Sequence, residues 1–305
     1  MKREVVAHKD SKSPISEVFR TLRTNIQFIN TDKKIKTLLV TSTLPGEGKS
    51  WIASNLAVTF AQAGKKVVLI DADMRKGRQY VIFGTSPKPG LSNYLSQVGM
   101  EQIKDKAKGI IACLQKTEVK NLYLMPAGSI PPNPSELLVS QKMSKLLEKL
   151  KKVCDIVIID GTPCELVTDA VVLSRMVDST IIVTAHKITK KDGLERVIKN
   201  IENVGGKITG VVINKMPISG KKYEEKYYYY GEKTDLEKED SIIPIQSPKQ
   251  QATYQKIQPM KSFDFANSTD KAPNINPSIT KTEDILKQMN EYLDKERFKK
   301  GEEND

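Results

Sequence analysis

The chain has 305 residues, 38% of them hydrophobic and 28% charged, with 49 Lys+Arg against 37 Asp+Glu for a net charge of +12. That length allows one large domain or two small ones with a real apolar core. No apolar run reaches the roughly 18–20 residues of a bilayer crossing, and the polar first ten residues lack the apolar stretch of a secretory signal. Cys113, Cys154 and Cys164 are odd in number and scattered, without a CxxC pair, which excludes a disulfide framework, argues against structural zinc and fits a reducing cytoplasm.

The charge is unevenly placed. Residues 215–305 carry 16 Lys+Arg against 17 Asp+Glu, so the first 214 residues hold an excess of +13. Such an excess is either a footprint for nucleic acid, anionic lipid or a polyphosphate, or a solvated lysine-rich surface.

In chain order, the spacing predicts an amphipathic helix over 14–29. On it Glu17, Arg20 and Arg23 stand at i, i+3 and i+6 and share part of one face, where the local reading is an intrahelical salt bridge. Continuous apolar, β-branched runs follow at 37–42, 66–71, 155–160, 179–184 and 209–214, each read as a fully buried strand. Helical patterns lie at 50–63, 134–151, 169–176 and 193–204. Strands alternating with helices imply a mostly parallel sheet covered on both faces, an α/β fold. From Pro217 onward the strand pattern stops and six prolines are spread to the end of the chain. Residues 218–278 read as mostly disordered, and 279–300 as a short terminal helix through Ile285, Met289, Tyr292 and Leu293. No internal repeat is evident. The division is an N-terminal helix over 1–30, a central domain over 31–217 and a tail over 218–305.

The strongest chemical signal runs from Leu39 to Trp51 as strand, glycine-containing loop and helix. Gly46 and Gly48 let backbone N–H groups close around phosphates, and the following helix aims its positive end at them. Lys49 is placed to reach the outer phosphates and Ser50 to offer its hydroxyl to Mg²⁺. The first glycine of the usual GxxxxGK[ST] pattern is Thr43, so this is a variant P-loop in which Thr43, Pro45, Gly46, Glu47, Gly48, Lys49, Ser50 and Trp51 form the nucleotide-binding stretch. A second strand ends in Asp71 and Asp73, two residues apart and so pointing the same way in extended chain. A third ends in Asp160, placed to hold Mg²⁺ directly or through water. All three sit at carboxyl ends of strands, where open α/β sheets bind ligands. Asn214 closes the last strand and is either a turn former or a partner for an adenine edge through its donor and acceptor. Tyr223, Tyr227, Tyr228, Tyr229 and Tyr230 cluster in a polar, acidic-flanked stretch. They read either as an aromatic patch or as phosphoacceptors.

The combination resembles the bacterial tyrosine kinases of capsule and exopolysaccharide synthesis. Glu17-Val18-Phe19-Arg20-Thr21-Leu22-Arg23 looks like their ExxRxxR oligomerisation motif. Thr43 to Ser50 and Ile70 to Arg75 look like their Walker A and Walker A′ segments, and Pro131 to Leu137 like their PPNPSEL segment. Asp160 stands at the Walker B position, and the tyrosine cluster is similar to their autophosphorylated tail. After the third strand this chain reads Asp160-Gly161-Thr162-Pro163-Cys164, one residue longer than the usual Asp-x-Pro-Pro, and it continues for 75 residues past Tyr230.

The resemblance implies a P-loop NTPase fold and a non-specific protein-tyrosine kinase that moves the γ-phosphoryl of ATP to its own tail tyrosines. Lys49 would stabilise the transferring group, Ser50, Asp73 and Asp160 would hold Mg²⁺, and Asp71 would accept the tyrosine proton, with Asp71 and Asp73 interchangeable at this stage. It further implies a homo-oligomer, a ring built through Glu17, Arg20 and Arg23, and a membrane adaptor of the polysaccharide co-polymerase type. A cognate tyrosine phosphatase and a place at the inner face of the cell membrane follow from it too. The alternative is an ATP-dependent switch of the kind found among cell-division and chromosome-partition ATPases. Those usually carry a lysine near the start of the P-loop, where Leu44 stands here. Nucleic acid is not an expected partner.

Overall fold

The computed structural model describes residues 5–29, 34–99 and 109–217. In chain order these form helices α1 (Val6–Lys9) and α2 (Pro14–Phe28), strand β1 (Thr37–Ser42), helix α3 (Lys49–Gln62) and strand β2 (Val67–Asp71). Short helices α4 (Gln79–Phe83), α5 (Leu91–Ser96) and α6 (Gly109–Ala112) lead to strands β3 (Gln115–Lys116) and β4 (Leu122–Met125). Then come α7 (Pro134–Val139), α8 (Gln141–Val153), β5 (Ile156–Pro163), α9 (Asp169–Met176), β6 (Ser179–Ala185), α10 (Lys191–Asn203) and β7 (Ile208–Asn214).

Among the described residues the strands form one sheet in the order β3-β4-β2-β5-β1-β6-β7. Only β3 runs antiparallel to its neighbour; β4, β2, β5, β1, β6 and β7 are mutually parallel. Successive side chains of each strand enter opposite layers, as the two-residue period requires. Leu38, Val40, Val67, Leu69, Ile156 and Ile158 pack with α2 and α3. Leu39, Val68, Ile70, Val157 and Ile159 pack on the other face with α5, α8, α9 and α10. The three cysteines are buried and form no disulfide with one another.

Helix α2 starts where its chemistry says it should. Ser13 caps it by accepting the Ser16 N–H at 3.2 Å, Pro14 opens its first turn, and Glu17 faces the positive end. Its apolar face buries Phe19 and Ile26 against α3, with Phe19 edge-on to Trp51 at a ring separation of 5.2 Å.

Two expectations change, and one strand had no expectation. The predicted helix over 134–151 is two helices, because Ser140 adopts an extended conformation and its hydroxyl accepts the Met143 N–H at 3.3 Å, ending α7 and capping α8. The run over 209–214 is not a fully buried strand: β7 lies at the sheet edge, with Val211 41% and Ile213 60% exposed. Strand β4, a buried four-residue run without β-branched residues, carries no sequence pattern that separates it from a helix turn. The readings for 218–300 fall outside the described residues.

Candidate active site

Strand β1 lies between β5 and β6, so the loop leaving it opens at the middle of the sheet's carboxyl edge. Gly46 and Gly48 take left-handed backbone conformations, φ 79° and 104°, and Gly48 caps α3. A β-carbon at Gly48 would come within 2.2 Å of the Asn214 side-chain nitrogen, so the position tolerates only glycine. The loop is held from below. Buried Glu47 accepts the Leu44 N–H at 2.8 Å and the Thr189 hydroxyl. Asn214 donates its side-chain N–H to the Glu47 carbonyl at 2.8 Å, and its own carbonyl accepts the His186 N–H at 2.9 Å.

Neighbouring strands β2 and β5 place Asp71 opposite Asp160 in register. Both carboxylates are fully buried. Asp71 accepts the Asp73 N–H at 3.2 Å and the Gln79 N–H at 2.9 Å, one on each oxygen. Asp73 turns outward, 3.3 Å from the Lys49 ammonium, which also lies 3.3 Å from the Ser50 hydroxyl. Burial works against the Lys49 charge, but Asp160 and Asp73 outweigh it and hold the ammonium above the usual lysine range. Burial, reinforced by the Asp160 charge, pushes the Asp71 carboxyl up to about 8 against the pull of the Gln79 N–H. Burial raises Asp160 as well, although Lys49, Gln79 and Ser50 favour its anion.

The extra residue after Asp160 is absorbed by a bulge. Val40 pairs with Asp160 and Ser42 with Pro163, so β5 spends three steps where β1 spends two. Gly161 permits this: a β-carbon there would meet a Leu39 methyl at 2.9 Å. The Thr41 hydroxyl donates to the Thr162 carbonyl at 2.6 Å and fixes the far side. Asp160 therefore keeps its place.

These elements surround a cleft of about 390 Å³. It is lined by Pro45, Gly46, Gly48, Lys49, Ser50 and Asp73, by Thr162, Pro163, Leu166 and Val167 at and after the end of β5, and by Arg75, Lys76 and Arg78 after β2. Of the expected residues, Lys49, Ser50, Asp73 and the loop glycines meet here. Asp71 and Asp160 lie beneath, and the Trp51 ring packs on Phe19 instead. The Asn214 donor is already engaged by Glu47. Tyr223 and Tyr227–Tyr230 fall outside the described residues. On α2, Arg20 pairs with Glu17, and Arg23 donates to the Thr59 carbonyl of α3 at 3.0 Å.

Two contributors carried no sequence signal. Gln79 is fully buried and ties the site together: its amide donates to Asp160 at 2.8 Å and to the Ser50 carbonyl at 3.1 Å, and it accepts the Ser54 hydroxyl at 2.8 Å. Asp169, at the start of α9, grips Arg75 through both oxygens at 3.1 and 3.3 Å and accepts Ser135 at 2.5 Å. Ser135 lies in the PPNPSEL segment, which is thereby joined to the Walker A′ arginine.

Comparison with known proteins places this geometry. An AAA-domain family model matches residues 35–212. The tyrosine-protein kinase YwqD of Bacillus subtilis is 38% identical over 237 residues, covering 77% of this chain and 94% of YwqD. The chain belongs to the bacterial tyrosine-protein kinases. The tyrosine-protein kinase CpsD of Streptococcus agalactiae is 38% identical over 71% of this chain and 90% of its own length. Among solved structures, the chimerical protein CapA2B2 superposes with a TM-score of 0.64 at 39% identity, over 70% of this chain and 90% of that one. The BceF tyrosine kinase domain gives 0.62 at 36%, over 71% and 84%. Membership of this family favours the kinase reading over the ATPase-switch alternative. Among the described residues no helix is long and apolar enough to cross a membrane.

Proposed function

We propose that this chain transfers the γ-phosphoryl group of ATP to tyrosine side chains, its own Tyr223 and Tyr227–Tyr230 among them, and so regulates capsular or exopolysaccharide synthesis and export. The observation that carries the reading is the Lys49–Asp73–Ser50 cluster over buried Asp160, set on a P-loop in a chain of this family. Phosphoryl transfer needs mostly positioning and charge neutralisation, and this site offers both. The loop amides and the α3 N-terminus receive phosphate oxygens, and Lys49 meets the charge that grows on the transferring group.

The donor set fits Mg²⁺. One Asp160 oxygen is buried with no hydrogen-bond partner, and Ser50 and Asp73 offer two further hard oxygens. Among the described residues no group of three or more His, Cys, Asp or Glu surrounds a cation, as suits an ion that keeps waters and phosphate oxygens in its shell. Ser50, Asp73 and Asp160 would hold the metal, which supplies Lewis-acid neutralisation of the phosphates.

The presence of Asp73 but not Asp71 in the lining of the cleft supports a division of roles between the two Walker A′ carboxylates. Asp73 faces the cleft and is the group able to approach a tyrosine hydroxyl. Asp71, with both oxygens occupied by N–H donors, is a positioning residue that fixes the turn carrying Asp73 and Gln79. Asn214 braces the P-loop with its side-chain N–H, leaving its side-chain oxygen for an adenine amino group.

The same reading includes a ring of subunits joined through the exposed side of α2, with Glu17, Arg20 and Arg23 as contacts that exchange local partners for intersubunit ones. It also includes a membrane adaptor of the polysaccharide co-polymerase type, a cognate phosphatase and a position at the inner face of the membrane. The test is mass spectrometry of the purified chain after incubation with Mg·ATP. Phosphotyrosine on Tyr223 or Tyr227–Tyr230 supports the reading, and release of phosphate with no labelled tyrosine refutes it.

A further inference from the structure

Two segments that line the cleft differ in chemistry. Pro163, Leu166 and Val167 make one of them apolar, with Leu166 63% exposed. The other is basic, because Arg75, Lys76 and Arg78 follow Asp73 within five residues, line the same cleft and are exposed.

The three cations are not equivalent. Arg75 is already neutralised, gripped through Nε and Nη2 by buried Asp169. Lys76 and Arg78 form no ion pair among the described residues. Their backbone is nonetheless fixed: the Lys76 N–H donates to Asp73 at 2.9 Å, and the Arg78 carbonyl accepts N–H groups of the first turn of α4 at 3.1 and 3.2 Å. Two positive charges without a counter-charge are thus held at the mouth of the cleft.

Phosphate oxygens are served deeper in, by the loop amides and Lys49. The surplus at the mouth suits an anion that arrives with the acceptor. Residues 223–240 carry seven carboxylates against three lysines, with Glu224 and Glu225 just before Tyr227 and Glu232 just after Tyr230.

We infer that Lys76 and Arg78 form a recognition site for carboxylates flanking the acceptor tyrosine, with the ring of that tyrosine against Leu166, so that the site selects tyrosines set in acidic sequence. This rests on the kinase reading above. The transfer itself is unchanged: the tyrosine oxygen bonds to the γ-phosphorus, the bond from that phosphorus to the bridging oxygen of ADP breaks, and the phenolic proton leaves to a base.

The experiment presents the full chain and Mg·ATP with a peptide of residues 223–240, and with a twin whose seven carboxylates are amides. The acidic peptide is expected to show a KM about five- to tenfold lower, a gap that closes as NaCl rises from about 0.05 to about 0.5 M. The double variant K76A/R78A is expected to erase the gap while the KM for ATP moves less than about twofold. K76E/R78E is expected to prefer a third peptide, in which lysines replace the carboxylates. Equal KM values for acidic and amide peptides in the unaltered chain overturn the inference. So does a rise in the KM for ATP in place of the peptide KM, which makes the basic segment a phosphate site. Labelling of the chain itself but of neither peptide overturns it too, while leaving the kinase reading standing. Absence of phosphotyrosine on chain and peptides alike removes that reading, and this inference with it.

Discussion

At the scale of single residues the site separates groups that touch the reaction from groups that hold those in place. Lys49→Met removes the P-loop ammonium that lines the cleft. It is expected to lower tyrosine phosphorylation by about 10³-fold, with an unchanged circular dichroism spectrum as the control for folding. Retention of the unaltered rate would show that Lys49 serves no transition-state charge. The two Walker A′ carboxylates should answer differently to the same change. Asp73→Asn alters a group facing the cleft and is expected to depress the rate with little effect on stability. Asp71→Asn leaves an amide where two N–H donors converge on buried oxygens, and is expected to destabilise the fold by about 1–3 kcal/mol in urea denaturation as well. Gln79→Ala takes a side-chain partner from the Ser54 hydroxyl, the Ser50 carbonyl and Asp160 in a dry interior, and is expected to cost about 2–3 kcal/mol. None of Gln79's importance is visible in sequence, because its side-chain partners lie on α3 and at the end of β5, up to 81 positions away, and only the fold gathers them. Lys49, Ser50 and Asp73, by contrast, were legible because a short loop between strand and helix fixes its own geometry.

At the scale of elements, what joins the strands at their amino ends is as specific as what lies at their carboxyl ends. Asp178, in the turn between α9 and β6, accepts the N–H groups of Lys36 and Thr37 at 2.9 Å each and the Lys151 ammonium at 2.9 Å. It thereby ties β1, α8 and β6 together. Burial works against its charge, but the Lys151 ammonium and the two N–H donors outweigh it and hold the carboxyl below the usual range. A depressed folded-state pKa gives stability that is complete above the unfolded value near 4 and is lost as pH falls through the folded value. Asp178→Asn is therefore expected to cost about 1–2 kcal/mol at pH 7 after allowance for its partial exposure. That difference should shrink toward zero near pH 2, read by urea denaturation at both pH values. The long runs that became β1, β2, β5 and β6 declared themselves by continuous apolarity. The end of α7 did not, since a serine inside an amphipathic pattern reads equally as a helical residue and as a cap. The edge position of β7 was hidden as well, because Val211 and Ile213 are as apolar as any buried strand and edge status depends on what stands beside them.

At the scale of the whole molecule, α2 is the element through which the proposed ring would form. Glu17 and Arg20 already pair with each other, and Arg23 reaches back to α3, so these side chains stabilise the monomer to a small degree, a few tenths of a kcal/mol for the exposed pair. Replacing all three with alanine is expected to leave the melting temperature within a few degrees while shifting mass in light scattering from oligomer to monomer. An unchanged mass distribution would leave only the local pair. The sequence shows the spacing but not the alternative partners, since Arg23's contact with the Thr59 carbonyl arises from how α2 lies across α3.

The clip between Asn214 and the P-loop has a mechanical side. Asn214 is the last residue of β7, and the described residues end three positions later, at Pro217. A pull on everything beyond that point enters the fold at the residue whose amide holds the Glu47 carbonyl and whose side chain abuts Gly48. Load entering there is shared between β6, through the Asn214 backbone, and the phosphate-binding loop, through its side chain. Strain applied at Asn214 would therefore reach the contacts that shape that loop.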